Sequence, residues 1–365
     1  MLIHATKKLA DKLKIKTPEP PEQFDELLSW RANYVCKSRT SFVFFMNDAT
    51  RFVVCVNGVK THDLKKLPEL FLQVLKDEML SFFINQEVID KYIAEIGDFE
   101  YVRNSERSKT GWLNNAADFI SYLLNSTHDS PAVSANASSA LVTSPKDNQK
   151  YIRPYRDFMA ALGERYGLPV RKGTAFDLTV TLALDYRKAL RKLRVPANIT
   201  FPQLHIVLQR AFGWRGCHMH SFGMFGKLSK KYGHRPEIEL VPDAEMERDY
   251  NSAATDENGV KLSEYVPRYR KILYTYDYGD SWQHFIEVDA VIEDCEDELP
   301  VLLSGEGDAP PEDVGGTEGF NDFLRVIADP NDDEYEDTVA WSKDQFWRRF
   351  EFDDFAREVK HSLHW

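Results

Sequence analysis

No stretch of this chain approaches the ~20 consecutive apolar residues that span a bilayer, so no membrane-spanning helix is expected. The opening residues MLIHATKKLADKLKI lack a long apolar run and a small-residue cleavage site, so no export signal is expected. Cysteine is scarce, with four residues in 365: Cys36, Cys55, Cys217 and Cys295, and no C-x-x-C pair. That scatter argues against a zinc site built from cysteine pairs and fits reduced thiols in the cytoplasm. The phosphate-cradling patterns G-x-x-x-x-G-K-[ST] and G-x-G-x-x-G are missing, as are G-x-S-x-G and H-E-x-x-H.

What is present is an ordinary globular balance, 43% hydrophobic and 28% charged, with aromatics high at 13%. Ring-rich cores are expected, and 365 residues call for two or three domains rather than one core. The net charge of -12 hides a polarity along the chain. Residues 1–66 hold 12 Lys/Arg against 7 Asp/Glu, and 185–235 hold 11 against the single acid Asp185. Residues 293–337 then hold 17 acids against one base, Arg325. The basic stretches can bind a phosphate backbone or face the acidic segment of their own chain.

The segment Ser126–Gln149, STHDSPAVSANASSALVTSPKDNQ, has no apolar period and reads as a flexible linker. It separates an N-terminal domain, 1–125, from a C-terminal domain, 151–365, with the linker at 126–150. In the first, SFVFFMN and RFVVCVNG form two β-rich runs around Asp48-Ala49-Thr50, a hairpin signal. Leu67–Leu80 and Ala116–Leu124 carry helical spacing. The second opens with a helix over Arg153–Tyr166 and a strand over Phe176–Leu184. Thr200 and Gln203 then form a capping box at a helix that Gly213 is placed to end. Further helices are expected near Phe320–Ile327 and over Trp341–Leu363. Hairpins mixed with helices, without βαβ repeats, predict an α+β class: two mixed domains, the C-terminal one an antiparallel sheet packed by helices.

Certain stretches carry a family likeness. These are LHIVLQRAFGW (Leu204–Trp214), CHMHSF (Cys217–Phe222), LYTYDYGDSWQHFIEV (Leu273–Val288), GEGDAPPEDVGGTEGF (Gly305–Phe320) and AWSKDQFWRRFEFDDF (Ala340–Phe355). In order and spacing the C-terminal domain resembles the plasmid pRiA4b ORF-3-like family. The family pattern has Cys before P-P-E-D, where this sequence has Ala309, so no cysteine role carries over. IHATKKLADKL (Ile3–Leu13), W-R-A-N (Trp30–Asn33), N-D-A-T-R (Asn47–Arg51) and G-W-L-N (Gly111–Asn114) make the N-terminal domain similar to a small bacterial domain of unknown function. The resemblance implies an α+β fold and a bacterial, soluble setting.

Three constellations are candidates for chemistry. In YTYDYGDSWQH, Asp277–Ser281 reads as a hairpin turn in which Gly279 is free to take a positive φ. Asp277 and Asp280 can accept backbone N–H bonds there, and Trp282 and His284 share the apolar face of the outgoing strand. Together with Glu312 and Asp313 from the stiff P-P-E-D-V-G-G loop, Asp277, Asp280 and Trp282 would border a binding groove. The H-M-H pair, His218 and His220, could join His284 and Asp280 around a divalent metal, provided their strands pair at ~4.8 Å. Finally, Arg187, Lys188, Arg191, Lys192 and Arg194 form a basic patch beside Tyr186 and Trp214. The resulting expectation is a cytoplasmic, non-enzymatic binding or adaptor protein without a resident cofactor, its partner a protein or nucleic acid and its setting mobile DNA. The alternative is a metal-dependent hydrolase using the histidines.

Overall fold

The computed structural model describes residues 1–37, 40–124, 153–226, 236–247 and 254–363. The linker expected at 126–150 lies outside the described residues. The chain divides into two compact units, Met1–Lys172 and Gly173–Leu363. Both mix helices with a sheet, as the α+β reading expects.

The N-terminal unit is built on five strands in the order β4-β3-β2-β1-β5. They are β1 (Leu2–Ala5), β2 (Ser29–Lys37), β3 (Thr40–Asn47), β4 (Val53–Asn57) and β5 (Glu100–Arg103). β1 runs parallel to β2 and β5, while β2, β3 and β4 form an antiparallel meander. Both sheet faces are covered, which is why the run Phe42–Met46 is apolar throughout. Val43 and Phe45 enter the larger core with Trp30, Phe52 and Phe71. Phe42, Phe44 and Met46 point the other way, into a smaller core with Leu113, Ala116 and Ile120 of the Arg107–Leu123 helix.

The Pro154–Tyr166 helix corrects the expected boundary. Sequence reading places it at the head of the C-terminal domain, but Phe158 stacks on Phe52 at 4.2 Å and Tyr155 on Phe82 at 4.0 Å. Its apolar stripe completes the N-terminal core. Burying each such ring is worth about 1.5–3 kcal/mol, so packing, not sequence distance, assigns the helix.

Three of the motifs of the N-terminal likeness meet in an ion network centred on the buried pair Arg31 and Asp48. His4 and Arg31 are register partners on β1 and β2. Arg31 donates to Asp48 at 2.5 Å and to Glu106 at 2.6 Å, and Lys109 stands 3.6 Å from Asp48. Asn47 braces the N-D-A-T-R turn by accepting from Ala49 and Thr50, and Arg51 lies over Trp112 at 3.5 Å.

The C-terminal unit has one sheet of eight strands in the order β10-β9-β8-β11-β12-β6-β7-β13. They are β6 (Gly173–Leu184), β7 (Arg187–Pro196), β8 (His220–Phe225), β9 (Ile238–Val241), β10 (Ala254–Asp256), β11 (Lys271–Tyr276), β12 (Trp282–Cys295) and β13 (Val301–Glu306). All neighbours are antiparallel except β9 and β10. One face is packed by Leu204, Val207, Leu208 and Phe212 of the Phe201–Phe212 helix, by Phe320 and Phe323, and by Phe355 and Val359. The Phe201–Phe212 helix starts at the expected capping box of Thr200 and Gln203 and stops at Gly213, whose φ is 80°. The single helix expected over Trp341–Leu363 is two, Tyr335–Asp344 and Phe352–Lys360. The chain breaks between them because Phe346 takes a φ of 57° and Trp347 donates to the carbonyl of Ala309 at 2.8 Å.

Candidate functional site

Tyr276, the last residue of β11, sits between Trp282 of β12 and His220 of β8. The chain reverses through residues 277–281. Asp277 takes a φ of 56°, and its Oδ1 accepts from the amides of Gly279 at 3.0 Å and Asp280 at 3.4 Å. The positive φ expected at Gly279 belongs instead to Asp277 and Ser281. Asp tolerates that region because its short side chain bonds its own turn.

The P-P-E-D loop is stitched onto this turn. Asp280 Oδ2 accepts from the amide of Gly315 at 3.1 Å, and the indole of Trp214 donates to the carbonyl of Pro310 at 2.8 Å. Glu312 is thereby carried inward until it is only 3% exposed. Its Oε1 accepts from the amide of Arg215 at 2.8 Å, and the Tyr276 hydroxyl lies 3.1 Å from both carboxylate oxygens. The same hydroxyl accepts from the amide of Cys217 at 3.0 Å. Burial first, and the Glu312 charge second, push the Tyr276 phenol up, so it acts as a donor to the carboxylate.

Three carboxylates face the His218 ring. Its Nε2 lies 3.1 Å from Asp313 Oδ1, 3.7 Å from Asp277 Oδ2 and 3.7 Å from Glu312 Oε2. That nitrogen is sealed from solvent and makes no hydrogen bond of ordinary geometry. The residues expected to border a groove thus separate by role. Asp277, Glu312 and Asp313 converge, Asp280 ties the two loops together, and Trp282 is buried in the core beneath them.

The expected metal set does not assemble. His220 points away from His218, meets Glu257 Oε1 at 3.0 Å and stacks on His205 with centroids 3.8 Å apart. His205 in turn bonds the Tyr274 hydroxyl at 2.8 Å, and Gln209 donates to the same oxygen at 2.9 Å. His284 is fully buried, edge-on to Trp214 and Phe212, with Nδ1 3.3 Å from the Tyr274 carbonyl. Burial depresses the pKa of both His205 and His284 to about 3. Asp280 is committed to Gly315. His218 and His220 fail to share a side because β8 begins only at His220, so the alternation of a strand does not reach His218.

The basic patch is also dispersed. On β7, alternation turns Arg191 into the core, where it is fully buried. Its guanidinium donates to the carbonyls of Ala211, Leu190, Glu306 and Gly307 and stacks on Phe350 at 3.7 Å. Arg194 pairs with Asp177 and Asp297, and Lys188 with Glu306. Arg187 and Lys192 remain exposed. The acidic segment after residue 293 therefore neutralises part of this strand.

Sequence reading missed Tyr276, Glu257, His205 and Gln209. Tyr276 lay inside the quoted stretch, and its position at the strand end was its only signal. Glu257 has no local pattern that links it to His220. Chemically, the His218 cluster can hold positive charge: three carboxylates, Asp277, Glu312 and Asp313, face one imidazole, and Asp280 ties their loops together. Among the described residues no lysine or arginine pairs with any of them.

Among the described residues, no helix is long and apolar enough to cross a membrane. The Domain of unknown function DUF6933 matches residues 2–157. The uncharacterized protein y4hQ of Sinorhizobium fredii is 32% identical over 168 residues, which cover 45% of this chain and 78% of y4hQ. A crystal structure of MM3350, a protein of unknown function from Methanosarcina mazei Go1, is 30% identical. It covers 50% of this chain and 97% of its own, with a TM-score of 0.42. The description "Plasmid pRiA4b ORF-3-like protein" matches residues 174–359, just over half of the sequence and nearly all of the unit that carries the His218 cluster, so the chain belongs to that family.

Proposed function

We propose that this is a non-enzymatic, cytoplasmic binding protein whose recognition centre is the pocket of His218, Asp277, Glu312 and Asp313, and that this pocket receives a positively charged group. The observation that carries the reading is Glu312, a carboxylate 3% exposed whose bonds come from an amide and a phenol, not from a cation. A buried carboxylate without a cationic partner costs several kcal/mol, and hydrogen bonds to a charged group return about 1.5–3 kcal/mol each. An incoming cation would offset what remains. The dispersal of the β7 cations favours a positively charged ligand group over nucleic acid. A setting on mobile DNA is supported by the plasmid in the family's description.

Titration calorimetry of the full chain with Mn²⁺, Zn²⁺, spermidine and an oligo-arginine peptide tests this. At least one saturable isotherm is expected, weakened tenfold or more by Glu312→Gln, which keeps an acceptor for the Arg215 amide. Failure of all four probes to saturate at millimolar concentration would overturn the proposal.

A further inference from the structure

We infer that the group received is a single divalent transition-metal ion, bound by His218 Nε2, Asp277 Oδ2 and Asp313 Oδ1, with the Glu312 carboxylate 3.7 Å from the same ring nitrogen. The inference rests on the reading that the pocket takes positive charge, and adds the identity of that charge.

Spacing is the first ground. Ligand atoms bound to one ion at about 2.1 Å stand roughly 3.0–3.4 Å from one another, the first figure at right angles and the second at tetrahedral angles. The distances from Nε2 to Asp313 Oδ1 and Asp277 Oδ2, 3.1 and 3.7 Å, lie close to that range. One donor atom each from His218, Asp277 and Asp313 falls within 4.8 Å of the others.

The second ground is the direction of each donor. Asp277 spends Oδ1 on the turn amides of Gly279 and Asp280, which leaves Oδ2 toward His218. Glu312, tied to the amide of Arg215 and to the Tyr276 hydroxyl, holds its charge 3.7 Å from the His218 nitrogen, behind the three donors. Outer hydrogen bonds that orient one oxygen and free the other are the usual support of a metal ligand.

The His218 ring nitrogen supplies the third ground. It is sealed from solvent, faces three carboxylates and lies on the hydrogen-bond line of none. A lone pair there would repel the three charges, and a proton there can serve only one of them. An ion between the imidazole, Asp277 and Asp313 would take up that lone pair and bond two of the charges at once. An imidazole among carboxylates suits Zn²⁺ or Mn²⁺ better than Mg²⁺ or Ca²⁺, which take oxygen donors.

The test is calorimetric titration of chelator-treated full-length protein with Zn²⁺, Mn²⁺ and Mg²⁺, together with melting curves. One equivalent of Zn²⁺ or Mn²⁺ is expected to bind and raise the melting temperature, with Mg²⁺ at least tenfold weaker. His218→Ala and Asp277→Asn should each weaken binding tenfold or more, and asparagine keeps the turn acceptor if the alanine variant misfolds. Cys217→Ser should bind as the parent does. Binding that survives His218→Ala, or that vanishes in Cys217→Ser, overturns the inference. If the oligo-arginine peptide or spermidine binds and neither Zn²⁺ nor Mn²⁺ does, the inference fails and the proposed function stands. If no probe binds, both fail.

Discussion

Acid should destabilise the C-terminal unit through His284, and the size of the effect follows from where the ring sits. The side chain is 0% exposed, wedged between Phe212, Trp214 and Tyr274, and desolvation holds its pKa at about 3. In the unfolded chain a histidine titrates near 6.5. The folded value is the lower one, so the stabilising effect is complete above about pH 6.5 and is lost as pH falls toward 3. Between those limits the unfolded state holds one more proton, and stability falls by about 1.4 kcal/mol per pH unit. From pH 7 to pH 5 the loss assigned to His284 is about 2 kcal/mol, a large share of a typical domain's 5–15 kcal/mol. The comparison to make is the parent against His284→Gln, by urea denaturation followed by tryptophan fluorescence at pH 7 and pH 5. The introduced glutamine leaves a buried amide and costs about 1–3 kcal/mol at both pH values, which cancels in the difference. The parent should lose about 2 kcal/mol more than the variant between the two pH values. An equal loss in both proteins would refute the placement of a neutral imidazole in that core.

Three further outcomes are expected. Thr200→Ala removes the capping box of the Phe201–Phe212 helix and should cost about 1 kcal/mol in the same denaturation assay. Arg191→Ala strips donors from the carbonyls of Ala211, Glu306 and Gly307 and empties the space beside Phe350, so a loss of about 3–5 kcal/mol is expected by urea denaturation. A fragment of residues 1–172 should show a cooperative melt by circular dichroism. A 1–150 fragment, which lacks Tyr155, Phe158, Met159 and Leu162, should not.

Local pattern was legible wherever neighbours along the chain decide the structure. The run Trp282–Val288 alternates buried and exposed in the way its spelling implies. Thr200, Gln203 and Gly213 mark a helix start and stop whose chemistry lies within a few residues. The β3–β4 hairpin and the α+β class follow from the same kind of signal. The family likeness was readable too, because its pieces are contiguous words in fixed order.

Where distant parts of the chain meet, only the tertiary structure could decide. His218, Asp277 and Glu312 lie far apart in sequence, and nothing local says that a 277–281 turn and a P-P-E-D loop will be stitched together through Asp280 and Gly315. The three histidines looked equivalent on paper. They differ because β8 begins at His220, because Glu257 happens to reach it, and because His284 is enclosed by the rings of Phe212, Trp214 and Tyr274. Residue type and spacing determine which side chains can hold a proton, a charge or a turn. Burial and long-range contact determine which of them do, since the cost of desolvating a charge is set by what surrounds it.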